Sequence, residues 1–234
     1  ANTPQVKVCG LTRVDEAVAC AELGVDAIGC VFYPPSPRHV SDERAGEIVR
    51  NLPPTVCPVG VFVNEPLAVI LDKIDRCALR AVQLHGRESP QLVEELQRRG
   101  VQVIKALFLN GTPYFDQYDS FAASAYLLEC AGGPLPGGNA LVWNWRAAAD
   151  LSAKRPVILA GGLNPDNVSQ AIQEASPDAV DVSSGVELAP GRKDINKVNK
   201  HEIITRFLTF SSFFGNKIAR QYLPFDTMAI RETI

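Results

Sequence analysis

Short apolar segments rich in Val and Ile alternate along this chain with longer segments whose apolar residues recur at helical spacing. The strand-like segments begin near Val6, Val25, Cys57, Arg80, Val101, Ala125, Pro156 and Ala179. The helical segments that follow them are Arg13–Leu23, Ser41–Leu52, Pro66–Cys77, Ser89–Arg99, Pro113–Phe121, Asn144–Leu151, Asn164–Ala175 and Arg192–Leu208. The pattern therefore predicts eight consecutive strand–helix units.

This repeat predicts a parallel sheet, because parallel neighbours need a crossover connection that is usually a helix. The strands are apolar almost throughout, as expected when both faces of a sheet are covered. Eight units within 234 residues fit a closed barrel better than a doubly wound sheet. The predicted fold class is α/β, a single (β/α)8 TIM barrel with an additional C-terminal segment.

Four of the predicted helices begin with residues suited to helix starts. Ser41 is expected to cap the second helix, and Pro66 is expected just inside the third. Ser89-Pro90 and Asn164-Pro165 place a cap residue before a proline at the fourth and seventh helices. These signals support the element boundaries given above.

The barrel pattern accounts for residues 1–208, which we expect to form one catalytic domain, and it leaves residues 209–234 as an extension. Five aromatic residues lie in the extension: Phe210, Phe213, Phe214, Tyr222 and Phe225. The segment is either an added helix packed on the outside of the barrel or an oligomer contact. The sequence leaves both open, and a monomer or a homodimer is compatible with it.

The composition of the chain excludes several kinds of binding partner and location. With 23 Lys and Arg against 26 Asp and Glu, the chain has no broad basic surface for nucleic acid. No apolar run reaches the length of a membrane-spanning helix, and no secretory signal is seen at the N-terminus. None of the 6 cysteines is arranged as C-x-x-C, so neither a metal site nor a redox pair is expected. These features predict a cytoplasmic protein.

In a barrel of this kind the active site is built at the C-terminal ends of the strands. Two glycine-containing turns follow the seventh and eighth strands, where such barrels commonly hold a phosphate. Their candidate phosphate-binding residues are Gly161, Gly162, Ser184 and Gly185. The sequence thus predicts a phosphorylated small molecule as the ligand.

Six motifs occur in a characteristic order: Lys7–Arg13 (KVCGLTR), Phe32–Arg38 (FYPPSPR), Val59–Asn64 (VGVFVN), Val82–Gly86 (VQLHG), Gly161–Val168 (GGLNPDNV) and Val180–Glu187 (VDVSSGVE). Together they resemble the phosphoribosylanthranilate isomerases, (β/α)8 enzymes of tryptophan biosynthesis. The resemblance covers about Val6 to Leu208.

The resemblance implies a cofactor-free Amadori rearrangement of N-(5-phosphoribosyl)anthranilate to the corresponding aminoketose. A general acid opens the furanose ring to a Schiff base, and a general base then removes the proton from ribose C2. The enolamine so formed tautomerises to the ketone. Proton transfer between well-positioned groups suffices for this chemistry.

The resemblance also implies roles for individual residues. Cys9 matches the general base, with Lys7 on the same side of the strand as a plausible stabiliser of the thiolate. The residue pattern alone would more often indicate a cysteine packed in the barrel wall. Arg38 matches the arginine that binds the anthranilate carboxylate, for which a planar guanidinium is suited.

Three further polar residues are substrate-binding candidates. Gln83 and His85 end the fourth strand and are expected to orient the substrate, although His85 could equally be structural. Asp181 ends the eighth strand and is expected to contact the substrate or support the phosphate turn.

The sixth strand departs from the family pattern. Where the family has Leu-Leu-Asp, a Gly-Gly-Thr/Ser-Gly loop and Phe-Asp-Trp, this chain has Leu127–Cys130 (LLEC), Gly137–Ala140 (GGNA) and Trp143–Trp145 (WNW). Glu129 therefore stands in place of the aspartate that acts as general acid. Glutamate has similar acidity but places its carboxyl group more than about 1 Å further out.

These changes allow two interpretations of the loop, co-adaptation to the longer acid or decay, and intact motifs elsewhere favour co-adaptation. Glu129 could alternatively be a structural carboxylate paired with Lys105. Two other functions also remain open: another phosphosugar isomerase, and a barrel that binds phosphorylated ligands without turnover.

Overall fold

The computed structural model describes residues 4–132 and 141–198, and it forms the predicted closed barrel. Its eight parallel strands are β1 (Gln5–Cys9), β2 (Ala27–Val31), β3 (Cys57–Phe62), β4 (Ala81–Leu84), β5 (Gln102–Leu109), β6 (Ala125–Cys130), β7 (Val157–Leu159) and β8 (Ala179–Val182). Each strand pairs with the next in sequence, and β1 pairs with β8 to close the barrel. Every predicted strand start lies within two residues of the observed one.

The connecting elements are α1 (Val14–Glu22), α2 (Asp42–Arg50), α3 (Leu67–Cys77), α4 (Pro90–Arg98), a 3-10 helix (Phe115–Ser120), a 3-10 turn (Trp145–Ala148) leading into α5 (Ala149–Ser152), and α6 (Val168–Ala175). After β8 come another 3-10 turn (Ser184–Val186), a hairpin of β9 (Glu187–Ala189) and β10 (Arg192–Lys193), and α7 (Ile195–Val198). The helix predicted over Pro113–Phe121 is therefore a shorter 3-10 helix. The helix predicted from Arg192 begins only at Ile195, because the hairpin precedes it.

The cap predictions are confirmed in two of four cases. The Ser41 and Ser89 hydroxyls accept hydrogen bonds from backbone N–H groups of α2 and α4, at 3.2 and 3.3 Å. Pro66 is the residue before α3 rather than its first helical residue. Asn164 does not cap α6, because its side chain accepts from two N–H groups of a turn that precedes the helix.

Alternation along the strands separates two buried layers. Small and aliphatic side chains such as Ala27, Val59, Ile104 and Ile158 fill the barrel interior, and a larger cluster lies between strands and helices. Towards the C-terminal ends of the strands the interior becomes polar. That polar end is the place where the sequence predicts the site.

A buried ion pair outside the barrel wall braces this end. Lys105 Nζ lies 2.8 Å from a Glu88 carboxylate oxygen, and both side chains are almost fully buried. The Glu88 carboxylate also accepts from the N–H groups of Gly86 and Asn64. The pair thus ties together the loops that follow β3 and β4.

The structure leaves some predictions outside its described residues, namely the Gly137–Ala140 motif, residues 199–208 of the last predicted helix, and the aromatic extension 209–234. Among the described residues, no helix is both long and apolar enough to cross a bilayer.

Candidate active site

A cleft lies at the C-terminal ends of the strands and encloses about 750 Å³ of space, which includes its opening to solvent. The predicted site residues that line it are Cys9, Arg38, Gln83, His85, Glu129, Gly161, Gly162, Asp181 and Ser184. Of the predicted residues only Gly185 does not line the cleft. The structure therefore brings together residues from six of the eight strand–loop units.

Lys7, Cys9 and Asp181 form a buried cluster at the base of the cleft. Strand pairing places Lys7 opposite Asp181, and Lys7 Nζ donates a 3.0 Å hydrogen bond to an Asp181 carboxylate oxygen. Gly29 on β2 leaves the space for this cluster, since a Cβ there would lie 2.7 Å from the Cys9 sulfur and 3.2 Å from Lys7 Nζ. The predicted proximity of Lys7 to Cys9 follows from their i, i+2 spacing on one strand.

The charge state of Cys9 depends on opposing influences. The pKa of the Cys9 thiol lies above its ordinary value, chiefly because the thiol is buried. Lys7 and Lys193 offset part of this rise, and Asp181 adds to it. Burial also raises the pKa of Asp181, against the effect of Lys7. One Asp181 oxygen is buried without a hydrogen-bond partner in the described part of the chain.

Glu129 faces the cleft from the end of β6, and its neighbour is His85. A Glu129 oxygen lies 3.3 Å from His85 Nε2, although the two are not aligned as a hydrogen bond. Gln83 Nε2 lies 2.9 Å from His85 Nδ1. When Gln83 donates, the neutral ring carries its proton on Nε2, towards Glu129. The alternative pairing of Glu129 with Lys105 is wrong, because Lys105 points outside the barrel and pairs with Glu88.

The wall beside Glu129 is built by Gly161 and Trp143. A Cβ on Gly161 would lie 2.8 Å from Trp143 Nε1 and 3.3 Å from Glu129 Cγ. The Trp143 indole donates a 2.9 Å hydrogen bond to the carbonyl of Ala160. The missing side chain at Gly161 therefore gives room both to the longer acid and to the loop tryptophan.

Arg38 enters the cleft from the loop after β2 and is 7% exposed. Its stem lies over Gly10, where an added Cβ would come within 2.4 Å of Arg38 Cδ. Its Nε and Nη2 donate to the two oxygens of Glu187 at 2.8 and 2.7 Å. Among residues 4–132 and 141–198, Nη1 and one further N–H of Nη2 have no other acceptor, so they can bind one on a ligand.

The two glycine turns meet at one side of the cleft. Gly161 and Gly162 have φ angles of +87° and +65°, which glycine adopts without strain. Gly185 packs so closely against the Leu163 carbonyl that a Cβ would lie 2.0 Å from its oxygen. Gly185 thus shapes the turn rather than the cleft surface, while Ser184 lines the cleft.

Sequence reasoning missed Trp143, Glu187 and Lys193. Lys193 Nζ donates to the Glu187 carboxylate at 2.7 Å and to the Ser183 carbonyl at 3.2 Å. The Pro190-Gly191 pair between the two charged residues is a turn signal that could have revealed the hairpin. Nothing local indicates that Glu187 reaches Arg38, 149 residues away.

Comparison with known proteins shows which enzyme family this chain resembles. A sequence model described as N-(5'-phosphoribosyl)anthranilate (PRA) isomerase matches residues 6–202. An N-(5'-phosphoribosyl)anthranilate isomerase of Desulfatibacillum aliphaticivorans is 54% identical over 196 residues, which cover 84% of this chain and 90% of the relative.

Solved structures agree with this match. A phosphoribosyl anthranilate isomerase in complex with reduced 1-(o-carboxyphenylamino)-1-deoxyribulose 5-phosphate is 38% identical with a TM-score of 0.75, over 88% of this chain and 99% of the other. A structure described as monomers generated from the dimeric enzyme of Thermotoga maritima is 36% identical with a TM-score of 0.74, over the same shares. The chain therefore belongs to the phosphoribosylanthranilate isomerase family.

Proposed function

We propose that this chain converts N-(5'-phosphoribosyl)anthranilate to 1-(2-carboxyphenylamino)-1-deoxyribulose 5-phosphate in tryptophan biosynthesis, with Cys9 as general base and Glu129 as general acid. The observation that carries the proposal is that the thiol and the carboxyl group line one cleft. They belong to β1 and β6, which are three strands apart around the closed barrel. A substrate between them can receive a proton on one side and lose one on the other.

Glu129 performs the first step, protonation of the furanose ring oxygen, which opens the ring to a Schiff base. His85 stabilises the carboxylate that results, because its Nε2 lies 3.3 Å from a Glu129 oxygen. Gln83 fixes the ring of His85 through Nδ1. His85 and Gln83 are in this account positioning residues for the acid.

Cys9 performs the second step, removal of the proton from ribose C2. The base must be a thiolate, and Lys7 favours that form because its ammonium group offsets part of the rise that burial causes in the pKa of Cys9. Asp181 holds Lys7 in place through the 3.0 Å ion pair. Asp181 is therefore a partner of Lys7 at the base of the cleft.

The two ends of the substrate are held on either side of these groups. Arg38 binds the anthranilate carboxylate through its remaining N–H groups, and the turns at Gly161–Gly162 and Ser184–Gly185 hold the phosphate. Fixing both ends places the reacting atoms between acid and base, which is where proximity contributes most to rate. The rearrangement is internal and redox-neutral, so no cofactor is required.

The oligomeric state, the domain bounds and the location of the protein are also proposals. The chain is a monomer or a homodimer, and the dimeric relative from Thermotoga maritima favours the dimer. Residues 1–208 form the catalytic barrel and residues 209–234 an extension outside it. A cytoplasmic location fits the six free cysteine thiols, which stay reduced there.

The test is turnover of freshly prepared phosphoribosylanthranilate, followed by the change in anthranilate-type fluorescence, in wild type, Glu129→Gln and Cys9→Ala. We expect wild type to be active and kcat to fall at least about a thousandfold in both variants, the scale of losing an acid or base. Cys20→Ala is the matched control, a buried cysteine on α1 outside the cleft. Absence of wild-type turnover, with a product analogue still binding, would instead establish a barrel that binds without catalysis.

A further inference from the structure

The Glu187 carboxylate lies between two buried cations, Lys193 and Arg38, of which Arg38 lines the cleft. It receives two parallel hydrogen bonds from Arg38, at 2.8 and 2.7 Å, and one from Lys193, at 2.7 Å. The side chains of Arg38, Glu187 and Lys193 are 8%, 5% and 0% exposed. Water therefore screens this group of charges only weakly.

The position of Lys193 is set by the hairpin that follows β8. Its backbone N–H donates to a Glu16 carboxylate oxygen at 2.9 Å, and Glu16 also pairs with Arg192. Its ammonium group donates to the Ser183 carbonyl, while the Ser183 hydroxyl donates to the Cys9 carbonyl. The hairpin thus delivers one buried cation to the Glu187 carboxylate.

The charges of this group do not cancel. Arg38 and Glu187 alone would form a neutral pair, and its anion would repel an incoming carboxylate. Lys193 adds a second cation, so the three side chains together carry one net positive charge. The Glu187 carboxylate stays ionised. Burial raises its pKa, but hydrogen bonds from Arg38 and the charge of Lys193 lower it further, so that the pKa of Glu187 lies below its ordinary value.

A second consequence of these contacts is that Arg38 is held in one orientation. Glu187 occupies the edge of the guanidinium formed by Nε and Nη2, and the stem of Arg38 is confined against Gly10. The end of the guanidinium that carries Nη1 stays available, and a planar fork held in this way loses little freedom when it binds.

We propose that Glu187 and Lys193 are positioning residues of a subsite for the substrate's carboxylate, in which Glu187 orients Arg38 and Lys193 offsets the charge of Glu187. This inference rests on the proposed function, because it takes the carboxylate to be that of the anthranilate ring. It adds two residues from the hairpin to the recognition of that ring.

The test compares two ligands in direct binding measurements by calorimetry: the reduced product analogue, and the same compound without its ring carboxyl group. In Lys193→Met, affinity for the carboxylate-bearing ligand should fall about tenfold, the scale of one charge-assisted interaction, with little change for the other ligand. In the double variant Glu187→Gln/Lys193→Met, the net charge returns to that of Arg38 alone. The preference for the carboxylate-bearing ligand should then be several-fold greater in the double variant than in Lys193→Met.

Lys197→Met is the matched control. Lys197 contacts the backbone carbonyl of Glu187 at 3.3 Å, but its side chain is 45% exposed and does not reach the carboxylate. This variant should keep the wild-type ratio of the two affinities. If Lys193→Met is not recovered folded, Lys193→Gln, which retains a donor, replaces it with the same expectation.

Equal weakening of both ligands in the lysine variant, or a double variant no more selective than the single one, would overturn the inference, because a purely structural role predicts that result. The turnover assay distinguishes failure of the subsite inference from failure of the proposed reaction. An active wild type with unchanged ligand selectivity in Lys193→Met removes only the subsite, whereas an inactive wild type removes the proposed reaction.

Discussion

Shortening Glu129 to aspartate tests whether this chain has been built around the longer acid. The substitution withdraws the carboxyl group by roughly 1.5 Å, the length of one carbon–carbon bond. The carboxyl group would then lie further from His85 Nε2 than its present 3.3 Å, which weakens the electrostatic contact between the two groups. The space beside Glu129 Cγ, which Gly161 leaves open and Trp143 borders, would be left unfilled.

A displacement of about 1 Å at a catalytic group costs on the order of a hundredfold in rate. We therefore expect Glu129→Asp to lower kcat about a hundredfold, or about 2.7 kcal/mol of transition-state stabilisation, with KM nearly unchanged. Steady-state kinetics by anthranilate-type fluorescence measure both constants. Glu95→Asp is the control, because it removes the same methylene from a carboxylate of α4 that pairs with Arg98 and Arg99 on the outer surface.

A Glu129→Asp variant with wild-type or higher kcat would refute the reasoning. It would show that the carboxyl position set by β6, His85 and Gly161 is not the one that the reaction needs. A loss of kcat matched by a similar loss in Glu95→Asp would point to a general effect on folding.

Three further outcomes follow from the same geometry. Arg38→Ala should raise KM about a hundredfold while kcat changes little, and Michaelis kinetics with an unchanged KM would contradict its role in binding. The Asp181 carboxylate raises the pKa of Cys9, so Asp181→Asn should lower the pKa of Cys9. Alkylation of Cys9 by iodoacetamide, followed by mass spectrometry, should then become half-maximal at a lower pH than in wild type. Lys105→Met should cost about 3–5 kcal/mol in urea unfolding by leaving Glu88 buried without its cation, and the double variant with Glu88→Gln should recover part of that loss.

The interior of the site shows how far strand geometry carries a prediction. Lys7 and Cys9 are two residues apart on one strand, so their side chains must share a face. The strands are recognisable from local apolar pattern, and a closed parallel barrel collects their C-terminal ends at one opening. Cys9, Gln83, His85, Glu129 and Asp181 could therefore be assigned to one cleft before any contact was known.

Contacts between distant segments were not predictable in the same way. Glu129 had Lys105 as a candidate partner, yet the structure pairs it with His85, because Lys105 lies on the outer face of β5. The Asn164 side chain serves a turn instead of capping α6. In both cases several partners are compatible with the local sequence, and packing selects one of them.

The sequence by itself determined the eight-strand barrel, the strand starts to within two residues and the ring of strand-end residues, since these depend on periodicity and on spacing along single strands. Only the tertiary structure decided that Arg38 is held by Glu187 and that Lys193 offsets the charge. Those contacts join the loop after β2 to a hairpin 149 residues further on. Their partners are fixed by closure of the barrel and by burial, which no local pattern of residues records.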